Sequence, residues 1–380
     1  METDLERLLA DLVSIDSVNP DLVPGARGEG EIAAFVAQWM RQAGLEVILE
    51  ETRAKGRPNV MAIARGSGGG KTLMLNAHMD TVGVAGMSSP FTPVVRDGRL
   101  FGRGALDTKS ALAAFMAAAA AAAGRKSLRG EVILAAVVDE EYASLGTERA
   151  AAKWKADGAI VGEPTGLKIV TAHKGFVWFD IETRGVAAHG SLPAVGVDAI
   201  AKMGKVLVAI GELAESLAAS RPHPLLGPGS VHASLIQGGQ ELSSYPESCL
   251  LHVERRTIPG ETPQSVEDEL RELLHDSGKG DSAFSATLRR VFAREPLEVS
   301  GSEPLVRALQ RAVKHETGAS EAPSGMGGWM DSSLLAAAGI PPVVFGPTGE
   351  GLHGITEWVD LSSVHACCRI VGEVIDEICG

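Results

Sequence analysis

Three short apolar runs, each ending in residues that can bind a proton or a metal, constrain this chain more than any other feature. Leu73 to Ala77 runs into His78-Met79-Asp80, Glu131 to Val138 into Asp139-Glu140-Glu141, and Asp157 to Val161 into Gly162-Glu163. A fourth run, Pro342 to Phe345, leads into a glycine-rich loop that carries His353. Apolar runs of this length bounded by turn residues read as buried strands. In an open α/β sheet, ligands bind outside the carboxyl ends of the strands, which is where these residues fall. Asp107 stands instead at the start of a helix, Ala111 to Ala123, that is nearly all alanine. A helix N-terminus favours an acid there even without a metal. His78 beside Asp80 reads, taken alone, as an ordinary surface pair. Taken with the acids, it reads as a ligand whose other ring nitrogen is fixed by a carboxylate. Two His and several carboxylates without thiolate suit zinc, cobalt or manganese in a hydrolytic site.

Composition limits the alternatives. The 380 residues exceed what one core usually accommodates, so two domains are expected. A net charge of −13 without a long basic run argues against nucleic acid or an anionic membrane as partner. The charged, amphipathic start does not read as a signal peptide, and no apolar stretch is long enough to span a bilayer. Cys249, Cys367, Cys368 and Cys379 form neither a C-x-x-C pair nor a disulfide-like framework, so a reduced, cytoplasmic protein is expected.

Helical spacing covers 2–15 and 29–43, and strands are expected at 47–50, 59–64 and 73–77. Gly66-Ser-Gly-Gly-Gly70 before Lys71-Thr72 invites a phosphate-loop reading. It fails because Arg65 stands where the motif needs glycine and a strand, not a helix, follows. A flexible hairpin turn is the expectation. After Glu163 the texture changes. Strands at 176–183, 230–236, 249–253 and 286–292, with helices at 199–217 and 265–275, give a strand-helix-strand-strand-helix-strand order, which is ferredoxin-like. From Ser302 the α/β texture resumes. The expected architecture is an α/β catalytic domain from residues 1–173 and 294–380, with an α+β domain inserted at 174–293.

His78-Met-Asp80-Thr-Val, Gly102-Arg-Gly-Ala-Leu-Asp107-Thr-Lys, Asp139-Glu-Glu141, Gly162-Glu-Pro-Thr165 and His353-Gly-Ile-Thr-Glu-Trp-Val359 together resemble one family. It is that of the two-metal amidohydrolases and exopeptidases, including acetylornithine deacetylase, succinyl-diaminopimelate desuccinylase, aminoacylase and glutamate carboxypeptidase. The resemblance spans essentially the whole chain and implies a zinc-exopeptidase-like catalytic domain with an inserted lid and dimerisation domain. It implies that His78, Asp107 and Glu163 hold one Zn2+, and that Asp107, Glu141 and His353 hold a second, with Asp107 bridging. Asp80 would orient His78, and Glu140 would be the general base and acid. Two ions about 3.5–4 Å apart need such a shared ligand. The pair Glu140-Glu141 is otherwise a solvated acidic strand end, but neighbours in an extended chain point opposite ways, which suits two separate jobs.

Within the insert, the segment around His189 resembles the one whose His polarises the scissile carbonyl oxygen, from the partner subunit in dimeric members. Arg256 matches the arginine that would grip a substrate carboxylate, a task its fork suits; the alternative is a surface pair with Glu254. Ser324-Gly-Met-Gly-Gly328 would offer backbone N–H groups to the substrate, Gly328 permitting close approach. The chain departs from the commoner pattern at Thr108-Lys-Ser110, Ser243-Ser244 and Trp329-Met330, which leaves the substrate pocket open but removes no ligand. The expected activity is hydrolysis of N-acyl amino acids bearing a free carboxylate by a homodimer. A dipeptidase or carboxypeptidase of the same chemistry is the alternative.

Overall fold

The structure, a computed structural model, describes residues 2–380. In chain order the elements are α1 (Glu2–Val13), α2 (Gly30–Gln42), β1 (Glu46–Glu50), β2 (Asn59–Arg65), β3 (Thr72–His78), β4 (Val94–Arg96), β5 (Arg99–Phe101) and α3 (Lys109–Ala122). There follow β6 (Glu131–Val137), α4 (Leu145–Lys153), β7 (Gly158–Val161) and β8 (Val170–His173). Next come β9 (Gly175–Arg184), α5 (Ala199–Ala219), β10 (Ser230–Gly238), β11 (Ser248–Thr257), α6 (Pro263–Ser277) and β12 (Ser285–Arg294). The chain ends with β13 (Leu297–Glu298), α7 (Pro304–Thr317), β14 (Ser324–Met326), α8 (Ser332–Ala337), β15 (Pro342–Val344), β16 (Gly349–Glu350), β17 (Trp358–Asp360) and α9 (Leu361–Cys379).

These elements divide into two units. Unit 1 comprises the chain up to Thr171, Val299–Ser324 and Met330–Gly380; unit 2 comprises Ala172–Glu298 and Gly325–Trp329. The short segment 325–329 therefore belongs with the insert, whereas the sequence boundaries assign it to the catalytic part.

The main sheet runs β1-β2-β6-β3-β7-β15-β8-β13, with β14 on β8. β3 lies between β6 and β7, parallel to both. Parallel strands need helical crossovers that cover both faces, and this is why β3, β6 and β7 are apolar along almost their whole length. Helix α1 buries Leu5, Leu8, Leu9 and Leu12, an i, i+3, i+4, i+7 stripe. Helix α3 is buried nearly all round because alanine lets it approach the sheet and its neighbouring helices, with Phe115 and Met116 filling the core. The small side chains leave no slack, so Ala114→Leu is expected to cost about 1–3 kcal/mol by overpacking.

Two differences from the sequence reading concern the site. The glycine loop 66–70 is not a hairpin turn, because β6 lies between β2 and β3. The loop runs along 128–130, with Gly66 and Gly68 donating to the carbonyls of Gly130 and Arg129. The second difference is a small antiparallel sheet, β16-β17-β5-β4, whose two- and three-residue strands carry too little periodicity to be read from sequence.

In unit 2 the order β12-β9-β11-β10 is antiparallel throughout. By position in the chain it is 4-1-3-2, the ferredoxin-like arrangement. One face packs Val177, Phe179, Ile181, Leu251 and Val253 against α5 and α6. Helix α6 begins with a capping box of Thr262 and Ser265 around Pro263.

Candidate active site

The site lies in unit 1, at the carboxyl ends of its parallel strands. Register places His78 opposite Val137 and Asn76 opposite Val161, so the residues after β6 and β7 emerge beside His78. β17 pairs with β5 through Trp358↔Phe101. This joins the loop carrying His353, between β16 and β17, to the turn from Gly102 to Asp107.

His78 Nε2 lies 3.1 Å from Asp107 Oδ1 and 3.9 Å from Glu163 Oε1. His353 Nε2 lies 3.3 Å from both Asp107 Oδ2 and Glu141 Oε2. Two groups thus form, His78-Asp107-Glu163 and Asp107-Glu141-His353, with the ligand atoms of each within 4.8 Å of one another. Asp107 belongs to both and presents a different oxygen to each imidazole.

The electrostatics fit a bound cation. Burial pushes Glu140 and Glu163 well above the usual carboxylate range. It raises Glu141 to about 7, with Asp107 adding repulsion, and Asp331 to about 6. Glu141 Oε1 is buried without a hydrogen-bond partner. Against burial, hydrogen bonds from His353 and His78 hold Asp107 low. Hydrogen bonds to Asp107 and Glu141 raise His353 to about 10, and His78 is raised despite its burial by Asp107 and Asp80. The two imidazoles are the cationic partners that these carboxylates have at hand. Nitrogen and oxygen donors in sets of three, sharing one carboxylate, are suited to binding divalent metal.

Glu140 and Glu141 lie in a turn rather than an extended strand. Ala143 and Ser144 donate to the Asp139 carbonyl, and Asp139 takes a φ of 69°. The amides of Glu140 and Glu141 both donate to the Asp80 carboxylate, at 3.1 Å each. Asp80 therefore does more than the sequence suggests. His78 Nδ1 reaches its backbone carbonyl at 3.0 Å and its carboxylate only at 3.5 Å, while that carboxylate fixes the acid-bearing turn.

The sequence reading missed the support behind Asp80. Asn19 Nδ2 donates to Asp80 at 2.8 Å and to Asp139 at 3.0 Å. Buried Arg57 bonds Glu29 through two nitrogens and also Asp139 and Asp21. No local pattern marks Asn19, Glu29 or Arg57, which meet only through the fold. Glu357 stands inside a recognised motif, yet its task shows only in the structure. Fully buried, it accepts from Arg103 at 2.6 Å and from the amides of Gly104, Leu106 and Asp107, shaping the turn that presents Asp107. Gly104 has a φ of 78°, and a Cβ there would meet Thr81 at 2.8 Å.

The other expected residues lie in unit 2. His189 is exposed, and its Nδ1 accepts from the Ser191 amide at 3.2 Å. A neutral imidazole so held carries its proton on Nε2. Arg256 does pair with Glu254, but only through Nε, at 2.5 Å. Its two Nη groups make no hydrogen bond among the described residues. Gly328 is exposed with open space around its α-carbon, so nothing packed against it requires glycine.

Residues 74–377 match the model of Peptidase family M20/M25/M40. The chain is 29% identical to an acetylornithine deacetylase of Myxococcus xanthus, over 99% of this chain and 98% of that protein. It is 27% identical to a succinyl-diaminopimelate desuccinylase of a Ruegeria species, over 99% and 95%. Among solved structures, a dinuclear metal-binding peptidase of the M20 family from Bacillus subtilis superposes with a TM-score of 0.77. It is 17% identical and covers 100% of this chain and 98% of its own.

Proposed function

The chain belongs to peptidase family M20/M25/M40, and on that premise we propose that it hydrolyses the amide bond of N-acyl amino acids, releasing a carboxylic acid and a free amino acid. The observation that carries this is the pair of ligand groups sharing Asp107, with the half-buried Glu140 beside them. The similarity to acetylornithine deacetylase and succinyl-diaminopimelate desuccinylase supports N-acyl amino acids over peptides.

His78, Asp107 and Glu163 are assigned to one Zn2+, and Asp107, Glu141 and His353 to the other, with Co2+ or Mn2+ as substitutes. Such ions, when bound, acidify water and polarise a carbonyl. Glu140 takes the water proton and returns it to the departing amine. The turn held by Asp80 fixes where Glu140 stands. By its resemblance, His189 is assigned to the developing negative charge on the carbonyl oxygen, its Nε2–H being the donor. Arg256 offers its Nη pair to the free carboxylate of the substrate.

A homodimer is part of this reading. Strand β10 is an edge of its sheet, with Leu235 68% and Ile236 53% exposed, and Val208 on α5 is 63% exposed. An apolar, unpaired edge invites a second copy of the chain. No helix of the described residues is long and apolar enough to cross a membrane.

The test is a substrate panel with zinc or cobalt added: N-acetyl, N-succinyl and N-formyl amino acids, with dipeptides alongside. N-acyl turnover abolished by chelator supports the reading. Turnover of dipeptides alone moves the chain to the peptidase branch. Silence from a protein with two bound metals overturns the substrate class.

A further inference from the structure

One buried ion pair in unit 1 reaches three segments next to the metal-ligand candidates. Arg103 and Glu357 are 2% and 1% exposed, and their side chains meet at 2.6 Å. Arg103 Nε and Nη2 reach the carbonyl of Gly83, at 3.2 and 3.0 Å, on the segment that follows His78-Met79-Asp80. Nη2 also donates at 3.0 Å to the carbonyl of Gly354, the residue after His353. Glu357 accepts from the amides of Gly104, Leu106 and Asp107. The ligands do not depend on this pair equally. His78 ends β3 between β6 and β7, and Thr81 beyond it donates to the Ser17 carbonyl and accepts from the Asn19 amide. Glu141 rests on Asp80. His353 lies in a loop between two short strands, with its side chain 55% exposed and its backbone at a φ of 55°. A residue other than glycine keeps a positive φ only when its surroundings impose it. The bond from Arg103 to Gly354 supplies such a restraint one residue away.

A guanidinium suits this place because its planar fork bonds a carboxylate and two carbonyls at once, which a lysine ammonium cannot match from one position. Burial strengthens each of these bonds and makes the partners depend on one another. Resting on the assignment of two divalent ions to the ligand groups, we propose that Arg103 and Glu357 are positioning residues with separate tasks. Arg103, through Gly354, holds His353 within 3.3 Å of Asp107 and Glu141, and so sets the affinity of the second group alone. Glu357 holds Asp107, the ligand that both groups share, and so sets the affinity of both.

The test is equilibrium dialysis of the full chain, freed of metal, against buffered Zn2+, with bound ions counted per chain and no substrate present. Arg103→Lys keeps a cation beside Glu357 but gives up the bond to Gly354. It is expected to bind its first ion as wild type does and its second roughly 10- to 100-fold more weakly, the usual cost of losing a group that orients a metal ligand. Glu357→Gln is expected to weaken both ions, and Arg103→Lys decides the matter even where Glu357→Gln does not fold. The metal-free melting temperature separates positioning from general damage. Arg103→Lys should leave it close to that of wild type; a large fall together with weaker binding of both ions overturns the proposal. Unchanged affinities in Arg103→Lys also overturn it, as does a Glu357→Gln chain that loses only one ion. Failure of the parent reading looks different. Wild type that itself takes up fewer than two ions overturns the two-ion assignment and this inference with it. Wild type that takes up two ions but turns over no N-acyl compound overturns the substrate class alone, and the dialysis of Arg103→Lys still decides the inference.

Discussion

At the ends of β3, β6 and β7, carboxylates crowd one another with two imidazoles for counter-charge; on the inserted sheet, most acids have a base beside them. Asp180 is held by His252 and Arg289, Asp281 by Lys202 and Lys205, and buried Arg255 by Glu261 and Glu269. Around Asp107, burial raises Glu140, Glu141, Glu163 and Asp331, and Glu141 Oε1 has no partner. A folded chain tolerates such an uncompensated cluster only where something else neutralises it or where function requires it. The paired charges of unit 2 need neither. Charge compensation, more than charge density, separates scaffold from site here.

The contrast is sharpest at two positions in the cluster. Asp107→Ala should drop bound metal below one ion per chain and abolish turnover, since both groups lose a ligand. Glu140→Gln should keep both ions and still lose about 10²–10⁴-fold in kcat. Metal analysis beside a turnover assay separates them, and a Glu140→Gln enzyme with near-normal kcat would remove that residue from its role.

Arg57 tests whether the compensated network behind the cluster supports it. Replacing it with glutamine leaves Glu29 and Asp139 buried without their cation, a loss expected at about 3–5 kcal/mol in chemical denaturation. A cost below 1 kcal/mol would show that Asn19 alone holds the Asp139 turn.

A smaller effect is set by pH. Glu29 and Glu141 titrate at about 7 and Asp331 at about 6 when folded, all above their ordinary values because of burial. Each binds its proton more tightly folded than unfolded. Its contribution is complete below the ordinary pKa and is lost as pH rises through the folded value. His353, raised to about 10, acts in the same direction above its ordinary value. Asp107 and Asp80, both held low, contribute evenly over this range. The metal-free protein should therefore melt at a lower temperature at pH 8 than at pH 5. The shift on adding zinc should be larger at pH 8, where fewer protons compete with the metal for its ligands. A metal-free melting temperature that rises with pH would contradict the burial of these acids.

The smallest effect belongs to unit 2. Lys205→Ala removes one of two lysines on Asp281, with the Lys205 side chain 44% exposed, and should cost less than about 1 kcal/mol. A larger loss in denaturant melts would mean that the paired charges are less independent than their geometry implies.

The sequence determined the elements and the candidate ligands, because both are encoded locally. Period and run length marked β3, β6 and β7, alanine content marked α3, and the order of β9, α5, β10, β11, α6 and β12 marked the ferredoxin-like insert. His78, Asp107, Glu140, Glu141, Glu163 and His353 were legible because each ends a strand-like run or lies in a recognised motif. Tertiary structure alone decided what joins elements distant in the chain. It brought Asn19, Glu29 and Arg57 behind Asp80, set Glu357 under the Asp107 turn, and moved the glycine loop off a hairpin by placing β6 between β2 and β3. The reason is physical: a buried carboxylate or a buried guanidinium is stabilised by whichever partner packing delivers, and no local pattern records which partner that is.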